Sequence, residues 1–546
     1  MPTEYQKDGD NGFIGLNSRD NPASLPKGIV SKSQNFRLDR GVATVRKGLR
    51  RKTSSIILGQ IIYGTGTMLS TSGQEIFIIV VTDGLYTYNP QSEIFSSKIP
   101  FPAGETITTQ DGCDVVCAGK TAYVYITRGH SKRPLIGTVN ANFDAITAVN
   151  IAPIVGTGAE FPNCSGLLYY ANRLIATGQD HRLGYTPTTR SRDSVGVSNY
   201  LDFDHWDALD VFNFSDGAND EVVAVAPWTL NEFVVFLRNS IFYVNVGNNR
   251  YSVSDALSTT ASMRNLVSDM GCVAKRSIVQ ADGGIIFLSD NGVYAMNPTQ
   301  VGTNESMRLL TSANPLSAPI DDVIQRINRQ YAYRAVGTYW NNRYYLAVPL
   351  DSSVDNNCVL VYNFILKNWE SVDTYPTGFD VFSFAVGKKD NQRRLYGFDT
   401  DAGIFLLEDL EYDEYGASIG TPVLPFYIPA LLSSSAFTPN HIQGELKTRL
   451  YTYDVLKDKR FSTIEVDLVC EPASQISTYI ETINPDTTTL VDVYGSPTTE
   501  DSTRRLAVRK IAYGLQARFT TNSLRTSIRG TNLTATMLGK QNISKK

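Results

Sequence analysis

The chain has 546 residues, of which 42% are hydrophobic and 10% aromatic, and its formal net charge is −4. This composition excludes a disordered chain, because disorder goes with low hydrophobicity and high net charge. No apolar run approaches the roughly 18 residues of a membrane helix, and the longest candidate, residues 76–81, is strand-sized. The N-terminus also lacks the apolar core of a secretory signal. We therefore expect a soluble protein made in a cytoplasm, with no membrane-spanning segment.

Residues 1–55 are predicted to form an extended basic arm. Residues 1–52 hold 11 basic and 5 acidic residues, a balance of +6. Prolines favour extended backbone here, glycines favour turns, and Asn35 is predicted to start a hairpin. The motif and interface candidates are Gly15, Leu16, Arg19, Pro22, Pro26, Lys27, Asn35, Gly41, Arg46, Gly48, Arg50 and Arg51. Among them, the five basic residues are candidate contacts with a partner, and a solvated basic arm is the alternative.

From residue 56 to residue 412, short strands rich in Val, Ile, Tyr and Phe alternate with turns of Gly, Asn and Asp. Eight strand-turn-strand units occur, at 75–90, 114–127, 167–178, 233–246, 284–298, 339–350, 358–372 and 394–409. Their spacing averages about 45 residues, the period of a propeller blade, and radial repetition removes most exposed sheet edges. We predict an all-β chain with a β-propeller of six or seven blades over 56–412. Stacked β-sandwiches are the alternative.

Helical signal is scarce. The best candidate is the segment 317–331, in which Ser317 is a possible N-cap and Ile320, Val323, Ile324 and Ile327 form one apolar stripe. It predicts a helix of two or three turns on the outside of the propeller. A weaker helical pattern covers residues 254–271.

The amino-acid composition changes after residue 412. Residues 413–439 are rich in Pro and small residues and are predicted to be a linker. Residues 440–546 alternate as strands and predict a small antiparallel β domain, a platform or sandwich formed with the N-terminal arm. This domain carries 15 basic and 11 acidic residues, whereas residues 53–439 carry 24 and 38, a balance of −14. An acidic propeller suits a surface that DNA passes without sticking, and plain solubility is the alternative.

The cysteines and histidines do not form a recognisable site. The six cysteines are scattered among apolar neighbours, where a buried thiol is the ordinary interpretation. The four histidines show no metal-binding spacing, and the nucleophile-elbow and phosphate-loop motifs are absent. We therefore expect no catalytic residues, no metal and no cofactor.

One acidic cluster stands out between residues 202 and 221. Its seven carboxylates are Asp202, Asp204, Asp207, Asp210, Asp216, Asp220 and Glu221. Paired carboxylates can hydrolyse glycosides, and oxygen ligands can bind calcium. A solvated loop between blades is the interpretation that we favour, and a catalytic pair or an ion site is the alternative.

The order of elements in residues 15–51 resembles the N-terminus of tail nozzle proteins from short-tailed bacteriophages (podoviruses). The matching positions are Gly15, Leu16, Pro22, Leu25, Pro26, Asn35, Gly41, Arg46 and Gly48. Later segments, 220–244, 271–296 and 447–461, resemble the same family. Together the patches cover about two thirds of the chain, and this chain looks shorter than well-known members.

The resemblance implies a structural virion protein: a homohexamer that forms the distal tail tube, with propellers outside and platform parts lining the DNA channel. It also implies a tail adaptor protein above, tail fibres or spikes as further partners, and passage of double-stranded DNA without sequence-specific binding. The protein would be synthesised in the cytoplasm of a bacterial host and would end in the virion tail.

Three hypotheses follow. The first is a non-enzymatic conduit and gate for DNA ejection. The second is another virion part, such as a hub or fibre adaptor. The third is a propeller that binds or cleaves host glycans with the 202–221 carboxylates and nearby aromatic residues such as Trp206 and Trp228.

Overall fold

The computed structural model describes most of the chain. The described residues are 5–52, 60–110, 112–118, 123–153, 161–178, 192–206, 210–214, 220–229, 232–246, 261–267, 270–300, 307–311, 315–400, 403–415, 439–455, 457–472, 474–495, 500–523 and 526–537. The protein is all-β with a propeller-like arrangement of antiparallel sheets, which confirms the predicted fold class at that level.

The arm contributes seven short strands. They are β1 (Tyr5–Asp10), β2 (Gly15–Leu16), β3 (Ile29–Val30), β4 (Lys32–Gln34), β5 (Phe36–Asp39), β6 (Val42–Val45) and β7 (Gly48–Arg51). The pair β2–β3 is parallel and β5 pairs with β6 in an antiparallel hairpin, whereas β1, β4, β6 and β7 also pair with strands that lie hundreds of residues away. The arm therefore contributes strands both to the ring and to the sheets formed by the C-terminal strands.

Seven antiparallel sheets, here called the ring and numbered I to VII, follow one another within the described residues. Sheet I contains β8 (Gly64–Leu69), β9 (Glu75–Val81), β10 (Gly84–Asn89), β11 (Ile94–Phe95) and β12 (Ile99–Pro100). Sheet II contains β13 (Val115–Cys117), β14 (Tyr123–Ile126), β15 (Leu135–Val139) and β16 (Ile146–Ile151). Sheet III contains β17 (Gly166–Tyr170), β18 (Arg173–Thr177), β19 (Ser194–Val197) and β20 (Val211–Asn213). Sheet IV contains β21 (Val222–Thr229), β22 (Glu232–Leu237), β23 (Ile241–Asn245) and β24 (Ser262–Val267).

The remaining ring sheets involve other parts of the chain. Sheet V contains β25 (Val279–Ala281), β26 (Gly284–Ser289), β27 (Gly292–Gln300) and β28 (Met307–Thr311). Sheet VI contains β29 (Val336–Trp340), β30 (Arg343–Val348), β31 (Cys358–Asn363) and β32 (Asn368–Thr374). Sheet VII contains β33 (Val381–Lys389), β34 (Gln392–Asp399) and β35 (Ile404–Leu410), and its fourth strand is β7 from the arm.

The inner strands are apolar on both faces because each sheet is packed between two neighbours. Alternate residues of β9 show this: Ile76, Ile78 and Val80 share a core with sheet II. Phe77 and Ile79, which point the other way, share a core with Tyr396 and Phe398 of sheet VII. Similar shared cores join each sheet to the next. Because sheet VII packs on sheet I, the sequence of sheets closes on itself.

The predicted helix at 317–331 is much shorter in the structure. It consists of a 3-10 turn, Ala318–Ile320, and one α-helical turn, α1 (Asp321–Ile324). The apolar stripe is buried as predicted, but the chain leaves the helix and Ile327 forms a β-bridge with Leu350. Ser317 is not a side-chain cap, because its hydroxyl accepts a hydrogen bond from the Val293 N–H at 3.0 Å.

Two other 3-10 turns lie at Lys275–Ser277 and Ala332–Arg334. The weaker helical pattern at 254–271 was wrong where the structure describes it, since residues 262–267 form β24. The helical elements in the described ranges are about one turn long, and none of them could span a bilayer.

The C-terminal strands form two further sheets, here called the C-terminal sheets. After β36 (Asp413–Glu414) and β37 (Pro439–Asn440), the strands are β38 (Ile442–Lys447), β39 (Lys459–Cys470), β40 (Gln475–Ile483), β41 (Thr487–Gly495), β42 (Glu500–Ala512), β43 (Gly514–Ser523) and β44 (Thr526–Met537). One sheet has the order β42-β39-β44-β6-β5, with β1 also on β44. The other continues sheet VI through β4 in the order β32-β4-β38-β43-β40-β41.

These sheets share one core with the ring. Ile464 of β39 and Phe519 of β43 belong to the same cluster of buried residues as Leu288 of sheet V and Leu346 of sheet VI. The two ends of the predicted linker pair with each other, as β36 with β37, and residues 416–438 between them lie outside the described residues.

The six cysteines are free thiols, five of them buried and Cys117 half-buried. Burial raises the pKa of Cys113 and of Cys272 to about 12, so both thiols stay protonated at neutral pH.

Candidate assembly site at the N-terminal arm

The strand β7 completes sheet VII. Arg50 and Arg51 pair with Leu406 and Phe405 of β35, and Gly48 pairs with Leu410. The arm, predicted to contribute to the platform, thus also supplies a strand of the ring. The signal for it is weak in the sequence: one apolar residue, Leu49, which is fully buried between sheets VI and VII.

Gly48 is required where β7 meets the chain after β35. A Cβ atom at this position would lie 1.9 Å from the carbonyl oxygen of Tyr412 and 3.0 Å from the backbone nitrogen of Asp413. No side chain fits against a backbone at that distance. The glycine therefore lets two backbone segments approach each other at the closing point of the ring.

Arg46 is buried, with 1% of its surface exposed. Its two terminal nitrogens donate to the two carboxylate oxygens of Asp413 at 2.9 and 2.7 Å. The guanidinium also donates to the Thr374 carbonyl at 2.8 Å and lies over the Tyr375 ring. Burial by itself would lower the pKa of Arg46, but the carboxylate of Asp413 raises it above its ordinary value. Arg46 is thus a permanent cation inside the chain and not a surface contact, which corrects the expectation for this residue.

Asn35 connects the arm to both neighbouring units. Its side-chain oxygen accepts from Arg46 Nε at 3.1 Å and from the Thr374 N–H at 2.9 Å. Its amide nitrogen donates to the Gln443 carbonyl of β38 at 2.8 Å. The residue adopts a φ of 60°, a left-handed conformation that asparagine tolerates better than most residues. Asn35 is therefore a polar bridge between sheet VI, the arm and the C-terminal sheets.

A second buried group of charges lies on β5. Arg37 donates to both carboxylate oxygens of Asp373, at 3.0 and 2.5 Å, and also contacts Glu408 of β35. Glu370 accepts from the Leu38 N–H and from Arg343 Nε at 2.6 Å. These contacts join the arm to sheets VI and VII.

A third group ties the start of the arm to the C-terminal sheets. Arg449 Nε donates to Asp10 Oδ1 at 3.0 Å, and Arg449 Nη2 donates to Asp8 Oδ1 at 2.5 Å. The Tyr451 hydroxyl donates to Asp10 Oδ2 at 2.7 Å, and the Gly28 N–H donates to Asp10 Oδ1 at 3.0 Å. Sequence reasoning missed Asp10 and Arg449, since nothing near either residue indicates the other.

The other motif residues lie along the same path. Leu16 is buried, and Gly15 packs against Asn368, where a Cβ atom would lie 2.7 Å from the Asn368 Cβ. The Pro22 carbonyl accepts from the Leu450 N–H at 2.9 Å. Gly41 has a φ of 83°, and Pro26 is exposed.

Four of the predicted basic contacts remain on the surface to different extents. Arg19 is exposed, and Lys27 lies 3.6 Å from Asp8 with a side chain that is 74% exposed. Arg50 is partly exposed and pairs with Asp409 at 2.8 Å, and Arg51 is partly buried beside Glu414, whose carboxylate accepts from the Arg51 N–H. Of the five, Lys27 and Arg19 are the most accessible to a partner.

The acidic cluster is dispersed where it is described. Asp202 pairs with His205 at 2.8 Å, Asp220 accepts from the Ser240 hydroxyl at 2.9 Å, and Glu221 pairs with Arg192 at 3.2 Å. Asp210 is buried, and Asp207 and Asp216 lie outside the described residues. Within the part of the chain that the structure describes, no group of three metal-ligating side chains is found. Trp206 is fully buried in the core between sheets II and III, so it cannot stack on a sugar.

Asp204 gives a testable prediction. Desolvation, and then the neighbouring Asp202, raise its pKa above the ordinary 3.8. An acid whose pKa is higher in the folded state destabilises the fold once it ionises, and this effect disappears below the unfolded-state pKa. We expect Asp204→Asn to raise the free energy of unfolding at pH 7 by less than about 1 kcal/mol, because solvent screens the group, and to leave it unchanged at pH 3. Asp202→Asn, which loses the His205 pair, is the control; an equal gain in both variants would contradict the account.

A cavity of about 870 Å³ lies where the seven sheets and their loops converge. Two of its cations are paired with carboxylates: Lys275 with Asp114 at 2.7 Å, and Arg334 with Asp355 at 2.7 Å. Arg276 lies over the Phe382 ring and donates to the Cys113 carbonyl. The contacts of Lys275 and Arg276 join loops of different sheets, and the lining carries five cations (Arg128, Arg238, Lys275, Arg276 and Arg334) against three carboxylates (Asp220, Glu221 and Asp355).

Comparisons with known proteins add little. No family model matches the chain, and no curated protein matches it. Similar solved structures include BBS1N in complex with ARL6DN, with 14% identity, 67% of this chain and 98% of that chain covered, and a TM-score of 0.38. A mitotic checkpoint complex structure matches with 8% identity, 67% and 93% coverage, and a TM-score of 0.35. Likenesses at these TM-scores carry no argument about function.

The arm site consists of ion pairs and hydrogen bonds within the chain. Its guanidinium groups are held by buried carboxylates and carbonyls, so they bind parts of the same chain. Removing one partner of such a buried pair leaves an uncompensated charge, which is strongly destabilising. These contacts can therefore hold the ring and the C-terminal sheets in a fixed position relative to each other.

Proposed function

We propose that this chain is a structural virion protein, a subunit of the distal tail nozzle of a short-tailed bacteriophage. One observation carries the proposal: the N-terminal pattern that resembles nozzle proteins coincides with the segment that closes sheet VII and ties the ring to the C-terminal sheets. A motif whose residues connect the ring to the C-terminal sheets suits a tail protein that must stay intact under force.

The finer architecture belongs to the same proposal. The ring is a seven-bladed propeller, and residues 1–55, apart from the ring strand β7, form a platform together with residues 440–546. Six copies surround a channel, a tail adaptor protein lies above, and tail fibres or spikes attach outside. The protein acts as a conduit and gate in the virion tail after its synthesis in the bacterial cytoplasm.

The charge distribution supports a passive conduit. Residues 53–439 carry a balance of −14, and double-stranded DNA is repelled by acidic surfaces. In the described residues of the arm, the buried arginines Arg37 and Arg46 are engaged by carboxylates of the same chain. A conduit of this kind needs no catalytic group and no cofactor.

The test is an image and a mass of the assembled particle. We expect the purified chain to form sixfold rings in electron micrographs, with a matching hexamer mass in native mass spectrometry. Antibodies against it should label the tail tips of phage particles. A chain that stays monomeric at high concentration and is missing from tail particles would end the proposal.

Two other outcomes would favour one of the two alternative functions. Threefold symmetry would favour a hub or fibre adaptor. Cleavage of envelope polysaccharide that is lost in Asp204→Asn or Asp207→Asn would favour the glycan hypothesis, in which this chain is an enzyme.

A further inference from the structure

A cleft of about 490 Å³ lies on the outer side of the arm. Its floor is the backbone of glycines, and its wall is made by Ile14 of the arm and Leu366 of the loop between β31 and β32. The glycine residues of the floor are Gly9, Gly12, Gly28 and Gly41. We call this surface the arm cleft. A Cβ atom at Gly9 would lie 2.2 Å from the Thr531 carbonyl oxygen, and one at Gly28 would lie 3.0 Å from the Gly12 carbonyl oxygen, so these glycines allow close packing of the chain on itself.

The wall of the arm cleft continues into an exposed apolar patch. Ile14 is 43% exposed, and Ile365, next to Leu366 in the loop, is 71% exposed. Phe364 of the same loop packs edge-to-face on Tyr339, which is also exposed. The Asn368 side chain donates to the Ile14 carbonyl at 3.2 Å and joins the arm to this loop. Single exposed apolar residues are ordinary, but a contiguous patch marks an interface.

The rim of the arm cleft is basic. Lys27 lies 3.6 Å from Asp8, but the same carboxylate oxygen is already bound by Arg449 at 2.5 Å, so Lys27 is weakly neutralised. Arg40 is exposed, and it makes no ion pair within the described ranges. The surface therefore combines apolar side chains with two accessible cations and fits an acidic protein surface.

A second copy of this chain offers such a surface. The arm carries a balance of +6 over residues 1–52, whereas residues 53–439 carry −14. We propose that the arm cleft of one copy docks on the acidic ring of the next copy. This inference rests on the self-assembly in the proposed function and identifies its contact. A contact between two different surfaces joins copies head to tail, which closes into a ring when the rotation fits.

The experiment measures the oligomeric state by light scattering after gel filtration, over a range of protein and NaCl concentrations. We expect the wild type to assemble, and to assemble less well as salt rises, because exposed charges are screened. Arg40→Glu and Ile365→Ser should each raise the dissociation constant of the assembly by about tenfold or more. Arg460→Glu, the same charge reversal at an exposed position of β39 in the C-terminal sheets, is the matched control and should assemble like the wild type.

Zero-length carbodiimide cross-linking gives a second readout. In a mixture of isotopically light and heavy chains, Lys27 should be linked to carboxylates within 53–439 of another copy. Each variant should keep the wild-type melting temperature, because both changed side chains are exposed.

The outcomes are distinguishable. A wild type that is monomeric under all conditions overturns both the self-assembly and this inference. A wild type that assembles while Arg40→Glu and Ile365→Ser assemble equally well overturns the inference alone. Links from Lys27 only to its own C-terminal sheets, or assembly that needs a different acidic protein, also overturn it.

Discussion

Replacing Gly48 by valine is expected to open the ring at sheet VII. The new Cβ atom would fall 1.9 Å from the Tyr412 carbonyl oxygen, so β7 cannot keep its place on β35. Displacement of β7 also removes Leu49 from the core between sheets VI and VII. Loss of a buried leucine together with backbone overlap should destabilise the protein by about 4 kcal/mol. Thermal unfolding and hydrogen exchange would measure this, with the fastest new exchange in β35.

Lys47→Val is the matched control, because Lys47 is exposed and directly precedes Gly48. It adds the same side chain one residue away and should change the melting temperature little. If Gly48→Val and Lys47→Val exchange at the same rates in β35, then β7 does not hold the ring closed.

Arg46→Met should cost about 3–5 kcal/mol, because it leaves the buried Asp413 carboxylate without its cation. Asp413 would retain the hydrogen bond from the Leu49 N–H at 3.2 Å. Chemical denaturation at pH 7 measures the loss. Arg50→Met removes a partly exposed ion pair with Asp409 nearby and should cost less than about 1 kcal/mol.

The double variant Arg46→Met with Asp413→Leu separates charge from packing. Replacing both partners of a buried pair by apolar residues is often nearly neutral, so we expect it to recover most of the stability lost in Arg46→Met. A double variant as unstable as the single one would mean that Arg46 acts through its contacts with Thr374 and Tyr375 instead.

The local pattern of the ring was predictable because hairpins are local. All eight predicted strand-turn-strand units are antiparallel hairpins in the structure. Eight hairpins occupy seven sheets because residues 339–350 and 358–372 both lie in sheet VI. Counting hairpins therefore could not give the number of sheets.

Turn conformations were predictable only in part. Asn341 and Asn342 adopt positive φ values of 47° and 59°, as the predicted tight hairpin requires. The turn glycine Gly84, in the strand-turn-strand unit 75–90, is not among the described residues with positive φ. Its Cβ position is blocked instead by the Ile99 carbonyl at 2.6 Å, so this glycine serves close packing within sheet I.

The partners in the arm site could not be predicted, because they are distant in sequence. Arg46 and Asp413 are 367 residues apart, and Asn35 and Gln443 are 408 residues apart. The residue types near Arg46 gave no hint, because Lys47, Arg50 and Arg51 beside it are also basic. Burial alone then separates Arg46 from the exposed Lys27 and Arg19.

The source of β7 also has a consequence for biosynthesis. The ribosome releases residues 48–51 early, but the strand that they pair with, residues 404–410, is made some 350 residues later. At a translation rate of about 5–20 residues per second, β7 stays without its partner strand for roughly 20 to 70 seconds. Six sheets can fold during that interval, and the last one cannot. The nascent chain therefore completes its circle only when about three quarters of it has been made, and until then the open edge of the incomplete sheet is exposed to aggregation.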